Sequence, residues 1–182
     1  MQFSDIKYDD SGIISFHINA EKTTCYNPFL IALQAMIGDH ILDDYQKETG
    51  SLIPRYVPIR YIFDTPITPS RERAIDWLIE NCTENQNAMC WKYEYPVEYG
   101  DIILPAGWIS AYAQAYVALA FLAIYHDTHD EFYKNYCLGA LNCLTSPISQ
   151  EGCFYSFKDG SLWFEEIPSS KPTHIFNANW LS

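Results

Sequence analysis

A chain of 182 residues is long enough for one domain with its own core, since domains usually run to about 100–200 residues. Its 11 basic and 23 acidic residues leave a net charge of −12, which repels phosphate backbones and argues against nucleic-acid binding. Polar residues interrupt every apolar stretch, so no membrane-spanning segment is predicted. The chain start lacks a basic segment followed by an apolar run, so we expect a cytoplasmic protein without a signal peptide.

The first half of the chain predicts a strand and two helices. GIISFHI, residues 12–18, has the composition of a strand. Asn27 as N-cap and Pro28 in the first turn are helix-start signals, and Gly50 is a stop signal, which predicts a helix between them. Apolar residues recur at helical spacing over about 70–82 and predict a second helix after a proline-rich passage.

The second half of the chain predicts two further helices and a hairpin. WKYEYPV, residues 91–97, alternates like a strand or the edge of a loop. Residues 105–130, PAGWISAYAQAYVALAFLAIYHDTHD, predict the longest apolar helix, packed on most sides. Asp130 is expected to cap a fourth helix that runs to about Cys143. Lys158-Asp159-Gly160 lies between two strand-like segments and predicts a hairpin turn.

The order of these elements predicts the fold class. THIFNANWLS, residues 173–182, has the composition of the first turns of a fifth helix. Helices that follow one another in pairs, with loops at one end, suit a mainly α fold. We therefore expect an incomplete α/α toroid of antiparallel helix pairs with short β-hairpins in the connecting loops. Residues 1–24 are expected to form a strand and lead-in segment, and residues 25–182 the toroid domain.

The cysteines and histidines predict no metal site. No C-x-x-C pair and no zinc-type spacing is present, so the thiols are expected to be free and mostly buried in a reducing compartment. They are Cys25, Cys82, Cys90, Cys137, Cys143 and Cys153. His126 and His129 lie three residues apart at a helix end, where the helix dipole alone favours histidine, and no third ligand lies at a characteristic spacing.

Aromatic and basic residues suggest a carbohydrate surface. The 14 Tyr and 5 Trp residues are of the types that stack on sugars, because each combines a flat apolar face with a hydrogen-bonding edge. Several basic residues fall within about a fifth of the chain, and they predict either an ordinary solvated face, which we favour, or a cationic patch along a cleft. They are Arg55, Arg60, Arg71, Arg73 and Lys92.

WFEEIP, residues 163–168, sets two adjacent acids beside aromatic residues. Neighbouring side chains diverge in a strand or a helix, so Glu165 and Glu166 are expected to face different surroundings. Two solvated acids are the ordinary interpretation of such a pair. Trp163 and Phe164 would desolvate a nearby carboxylate and raise its pKa, as an acid/base group requires.

Six segments, in order and at similar spacing, resemble the C-terminal catalytic domain of the D-glucuronyl C5-epimerases. They are YNPFLIALQA, DWLIEN, WKYEY, PAGWISAYAQA, WFEEIP and HIFNANW. The resemblance covers roughly residues 25–182. It implies an α/α toroid and an isomerase of heparan sulfate biosynthesis that converts glucuronate to iduronate in a heparosan-like polysaccharide. It also implies proton removal and return at C5, without a cofactor or a metal.

The resemblance implies Glu166 as the catalytic acid or base. Ile167 stands where the family has its catalytic tyrosine, and it can neither donate nor accept a proton. Tyr93, Tyr95 and Tyr112 are candidates to replace that phenol, and the sequence selects none of them. The residues expected to bind substrate are Tyr26, Asn27, Trp108, Ser110, Gln114, Trp163, Glu165 and Asn177.

Three hypotheses about function stay open at this point. The first is an epimerase that acts on a uronate-containing polysaccharide. The second is a relative that binds a saccharide or a protein partner and has lost the chemistry, which Ile167 favours. The third is a fragment that needs another chain, because the family continues beyond the end of this sequence; its exposed helix ends predict a homo-oligomer. A β-eliminating lyase would share the first proton abstraction, but nothing in the sequence resembles one.

Overall fold

The computed structural model describes residues 3–18, 23–36 and 70–175. Four α-helices lie in these ranges, and one 3-10 turn spans Ile148–Gln150. The helices are α1 Pro28–Ala35, α2 Arg71–Glu80, α3 Ala111–Thr128 and α4 Glu131–Leu144. The strands are β1 Phe3–Tyr8, β2 Ile14–Ile18, β3 Thr23–Cys25, β4 Cys82–Asn85, β5 Ala88–Trp91, β6 Val97–Tyr99, β7 Ile102–Leu104, β8 Phe154–Ser156 and β9 Leu162–Phe164. None of the described helices is both long and apolar enough to cross a bilayer.

The prediction of a mainly α toroid is wrong, because the described residues form a mixture of helices and small sheets. Strands β1, β2 and β3 form one antiparallel sheet, and β4–β5, β6–β7 and β8–β9 form three hairpins. Residues 82–104 account for much of the error. The sequence pattern indicated a loop with one short strand there, whereas the chain pairs with itself twice. Strands of three or four residues are too short to show a clear periodic pattern, which explains the error.

Helix starts follow the capping residues that the sequence contains. Asn27 Oδ1 accepts hydrogen bonds from two backbone N–H groups of α1, and Ser70 Oγ accepts one from α2. Asp130 caps α4 as predicted. Helix α3 begins after Ser110, later than predicted, because the segment before it pairs through Trp108 with Tyr93, two residues beyond β5. Helix α1 ends at Ala35, and the rest of the predicted first helix lies outside the described residues.

A core of apolar side chains joins the helices to the strands. Helix α3 packs against α1 and α4, and α4 packs against β5. Trp91 at the end of β5 is fully buried; its ring lies 5.8 Å from that of Phe121, and its Nε1 donates to the Leu78 carbonyl at 2.6 Å. Burial of such aromatic residues contributes strongly to the stability of a small core. Strand β5 is therefore held firmly, and so is the segment that continues from it.

One buried amide connects the amino-terminal hairpin to two helices. Gln34 in α1 has no exposed surface. Its Oε1 accepts from the Ile14 N–H at 2.8 Å, and its Nε2 donates to the carbonyls of Gly12 at 2.6 Å and Ser70 at 2.8 Å. The described part of the amino-terminal segment thus packs on α1 and on the start of α2. The predicted domain boundary after residue 24 stays a prediction.

The prediction that all six cysteines are free is wrong for two of them. Cys90 in β5 and Cys143 in α4 form a disulfide, with their Cα atoms 5.8 Å apart. The two residues are 53 positions apart in sequence, so no local spacing could reveal the pair. Tertiary packing brings β5 and α4 together. The other four thiols are free: Cys25 and Cys82 are half-buried, and Cys137 and Cys153 are buried.

Candidate active site

Glu165 is fully buried and holds two segments of the chain together. Its backbone N–H donates to the Cys153 carbonyl at 2.8 Å, and its own carbonyl accepts from the N–H of Ala111 at 3.0 Å. Its carboxylate accepts from the backbone N–H groups of Thr173 at 3.0 Å and His174 at 3.2 Å, and from the Thr173 hydroxyl. Both carboxylate oxygens therefore accept hydrogen bonds inside the protein. These bonds hold residues 173–174 next to the start of α3.

Glu166 has different surroundings from its neighbour. Its Oε2 is enclosed and has no hydrogen-bond partner in the part of the chain that the structure describes. Burial raises the pKa of the Glu166 carboxyl from its ordinary value of 4.5. Buried polar atoms are nearly always hydrogen-bonded in folded proteins, so a buried carboxylate oxygen without a hydrogen-bond partner is unusual. A substrate proton or hydroxyl group would provide the missing partner.

Tyr93 lies close to Glu166 and is almost completely buried. Burial raises the pKa of its phenol well above the usual value; neighbouring Tyr95 and the negative charge of Glu166 raise it further, and a hydrogen bond with the Ser110 side chain opposes them. The phenol is therefore protonated at neutral pH and has a proton to donate, and its raised pKa makes it a weaker acid than a free tyrosine. A carboxylate and a protonated phenol thus share one small region.

The turn before α3 creates the wall of this region. Tyr93 N–H donates to the Trp108 carbonyl at 2.8 Å, and Gly107 N–H donates to the Tyr93 carbonyl at 2.7 Å. Gly107 has φ +99°, which a residue with a side chain rarely adopts, so glycine permits the turn. As a result, the Trp108 ring stacks on the Tyr93 ring, with 3.9 Å between centroids and 5° between planes.

Two further tyrosines, Tyr95 and Tyr112, surround Tyr93. The Tyr95 ring meets that of Tyr93 edge to face at 5.5 Å, and burial raises the pKa of its phenol well above normal. Tyr112 also contributes to the raised pKa of Tyr93, while its ring packs on Phe29 at 4.6 Å. The negative charge of Glu166 is one of the causes that raise the pKa of Tyr93, so this phenol lies near the Glu166 carboxyl. Tyr93 is therefore our candidate for the missing phenol.

The predicted substrate-binding residues near the start of α3 separate into two groups. Trp108 and Ser110 belong to the cluster around Tyr93, and Trp108 Nε1 also donates to the Tyr95 carbonyl at 2.8 Å. Gln114 is fully buried; its Oε1 accepts from the backbone N–H of Trp91 at 3.2 Å and its Nε2 donates to the Trp91 carbonyl at 2.9 Å. Gln114 therefore anchors strand β5 to α3 and offers no free amide atom to a ligand.

Tyr26 and Asn27 have structural roles at the start of α1. Asn27 caps α1, and the Tyr26 hydroxyl donates to Asp9 Oδ2 at 2.8 Å. Burial and the Asp9 carboxylate raise the pKa of Tyr26 to about 12. Trp163 is half-buried, with its ring 5.2 Å from that of His174. Asn177 lies outside the described residues.

A pocket of about 240 Å³ opens next to the cluster. It lies between the β4–β5 hairpin, the turn before α3 and the 3-10 turn. Its lining includes Trp108 and also Pro168, which follows Glu166 by two positions. The polar residues along it are Thr83, Asn85, Lys92 and Glu151. No sequence motif predicted this pocket. The one available signal was the alternation in WKYEY, which puts Lys92 and Tyr93 on opposite sides of the chain.

The predicted basic patch is dispersed in the described part of the chain. Arg71 pairs with Asp127 at 3.6 Å, and Arg73 with Asp76 at 3.5 Å, both at the surface. Lys92 instead lines the pocket and forms no ion pair with any residue that the structure describes. Arg55 and Arg60 lie outside the described residues. No group of three metal-ligating side chains occurs within residues 3–18, 23–36 and 70–175.

Comparison with known proteins agrees with the resemblance. A family model described as the D-glucuronyl C5-epimerase C-terminus matches residues 84–182, which includes the Tyr93–Trp108 turn and both glutamates. A D-glucuronyl C5-epimerase from Caenorhabditis elegans is 27% identical over 104 residues. That alignment covers 57% of this chain and 17% of the relative, so the chain corresponds to a small part of that protein. Because the family model matches more than half of the sequence, the chain belongs to the family of D-glucuronyl C5-epimerase C-terminal domains.

Proposed function

We propose that this chain acts in the C5 epimerisation of a uronate within a polysaccharide, with Glu166 as the general base. The observation that carries the proposal is the enclosed Oε2 of Glu166, which has no partner among the described residues. A carboxylate that is partly desolvated is a stronger base than one in water, because burial disfavours its charged form. Its position near a protonated phenol supplies a second proton-transfer group.

The proton transfers can be written for these two groups. The Glu166 carboxylate takes the C5 proton, and the electron pair of the C5–H bond moves into the adjacent sugar carboxylate. The Tyr93 hydroxyl donates a proton to the opposite face of C5, and the same electron pair forms the new C5–H bond. Exchange with water then removes the proton from Glu166 and restores the Tyr93 phenol, for which the Ser110 hydroxyl provides a relay. No electrons are gained or lost, so the reaction needs no redox cofactor.

The proposed substrate is glucuronate in a heparosan-like polymer, and the product is iduronate. Support comes from the family match and from the name of the relative, a D-glucuronyl C5-epimerase. The half-buried ring of Trp108, which lines the neighbouring pocket, is of the type that packs on sugar faces. Since the alignment covers 17% of that relative, the activity of the whole relative is assigned to this chain only as a proposal.

A second function, saccharide binding without turnover, is supported by Ile167. This side chain is buried, and it occupies the position where the resemblance expects a catalytic tyrosine. An apolar side chain there can pack but cannot move a proton. If Tyr93 does not replace the missing phenol, the chain retains an aromatic surface without a working acid/base pair.

Deuterium exchange at C5 distinguishes the two functions. The full chain is incubated with unsulfated heparosan oligosaccharide in heavy water, and C5 deuterium is measured by NMR. Exchange above a no-protein control is expected, because any cycle of proton removal and return introduces solvent deuterium. The absence of exchange, with the protein folded and oligosaccharide binding demonstrated, would leave the binding function.

Four conservative variants test the roles of the two groups. Glu166→Gln is expected to abolish exchange, and Tyr93→Phe to reduce it by roughly 100-fold or more, as is usual for loss of an acid/base group. Glu98→Gln and Tyr99→Phe are matched controls, since both residues are exposed on β6. Unchanged exchange in Glu166→Gln would remove this residue from the mechanism. Unchanged exchange in Tyr93→Phe would assign proton donation to another group.

A further inference from the structure

We propose that the 240 Å³ pocket binds the carboxylate of a second uronate on the same polysaccharide, with Lys92 as the cation that holds it. This inference rests on the proposed function, because a polymer that presents one uronate to Glu166 presents others along its length. It assigns a binding subsite and a specificity-determining residue outside the cluster of Glu166 and Tyr93.

The pocket adjoins the proposed reaction centre through two shared residues. Trp108 lines the pocket and stacks on Tyr93, the phenol close to Glu166. Pro168 also lines the pocket, and it follows Glu166 by two residues. The pocket therefore lies where the next part of a bound chain would pass. Its volume is slightly below the roughly 300–1,000 Å³ of most small-molecule sites, which suits one sugar ring better than several.

Within the described part of the chain, Lys92 is the one basic residue that lines the pocket. It directly follows β5, where Trp91 is buried and Tyr93 joins the reaction cluster, so the alternating backbone turns Lys92 away from both neighbours. Its side chain is half-buried and forms no ion pair among the described residues. A partly desolvated ammonium group without a protein anion interacts more strongly with a ligand anion than one in bulk water.

An acidic residue, Glu151, lies in the same pocket lining as Lys92 and gives the proposal a second test. Glu151 lines the pocket, and its Oε2 accepts a hydrogen bond from Asn85 Nδ2 at 3.3 Å. A bound carboxylate would be attracted to Lys92 and repelled by Glu151. Removal of these two charges must therefore change the affinity in opposite directions, which a neutral ligand would not show.

Calorimetric titration of the full chain tests these predictions with two probes. One is an unsulfated heparosan hexasaccharide, and the other is the same hexasaccharide with its carboxylates reduced to hydroxymethyl groups. Lys92→Met is expected to weaken binding of the first by about tenfold and to leave binding of the second almost unchanged. Glu151→Gln is expected to strengthen binding of the first. Lys158→Met removes one charge from the exposed β8–β9 turn and serves as the matched control.

The outcomes separate this proposal from the proposed function. If Lys92→Met loses affinity equally for both probes, or loses none, the proposed subsite is wrong even if C5 exchange is measured. Failure of the unmodified protein to bind either probe would overturn it as well. Conversely, binding that depends on both Lys92 and the sugar carboxylates would support the subsite even if no C5 exchange occurs. That result would place the chain among saccharide-binding relatives.

Discussion

The indole ring of Trp108 lies parallel to the phenol ring of Tyr93, with 3.9 Å between their centroids. The stack is fixed by the backbone hydrogen bonds on either side of it, from Tyr93 to Trp108 and from Gly107 to Tyr93. Trp108 also lines the pocket that contains Lys92. One side chain thus connects the pocket to the region where Glu166 and Tyr93 lie close together.

Trp108→Ala is expected to lower the free energy of unfolding by about 1–3 kcal/mol, because it removes a half-buried ring and its stacking contact with Tyr93. Urea denaturation measures this change. The control is Tyr99→Ala, an exposed aromatic residue whose loss should change stability by no more than about 0.5 kcal/mol. Equal stability of the two variants would contradict a stacked Trp108 in solution.

Replacement of Glu165 is expected to lower the free energy of unfolding far more than replacement of Glu166. Glu165→Ala would leave the N–H groups of Thr173 and His174 without their acceptor and should cost about 2–4 kcal/mol. Glu166→Ala removes a carboxylate with an unpaired enclosed oxygen and should cost about 1 kcal/mol or less. Chemical denaturation of both variants measures the difference. Similar losses would mean that Glu166 has a partner that the structure does not describe.

The pH dependence of stability should reveal the raised pKa of Glu166. Burial favours the neutral carboxyl in the folded state, so Glu166 contributes stability below its unfolded pKa of about 4.5. That contribution is lost as the pH rises through the folded-state pKa. The stability of the unmodified protein relative to Glu166→Gln should therefore increase as the pH falls from 7 toward 4.5. Urea denaturation at several pH values measures this trend.

Asp9 provides the control with the opposite sign. Burial alone would raise its pKa, but hydrogen bonds from Ser11, Ile13 and Tyr26 together hold it below the usual 3.8. Asp9 thus contributes stability above its unfolded pKa, and that contribution is lost as the pH falls through the folded-state pKa. The unmodified protein should lose stability relative to Asp9→Asn on acidification. The same trend in both variants would contradict the environment assigned to Glu166.

The disulfide between Cys90 and Cys143 is expected to stabilise the fold by about 2–4 kcal/mol, because it restricts the unfolded chain. Reduction, or the double change Cys90→Ala and Cys143→Ala, should lower the unfolding midpoint by a corresponding amount. Alkylation of the unfolded, unreduced protein should modify only the four free cysteines. Modification of all six would show that the bond is absent in solution.

Local signals predicted the helices better than the sheets. Asn27 and Asp130 cap their helices as predicted, because a short polar side chain can bond the free N–H groups of the first turn. Lys158-Asp159-Gly160 marked its hairpin turn for a similarly local reason, since Gly160 adopts φ +84°. The fold class was wrong because the strands within residues 82–104 are only three or four residues long, and their pairing depends on neighbours rather than on their own pattern.

Local signals in the sequence predicted two of the helix caps, the divergence of Glu165 and Glu166, and the family, because each depends on adjacent residues or on ordered motifs. The surroundings of each group follow from the fold. The fold directs the amide of Gln114 to the backbone of Trp91, and it brings Tyr93 close to Glu166. It also joins Cys90 to Cys143. Burial, desolvation and pairing arise between segments far apart in sequence, and no local pattern encodes which segments meet.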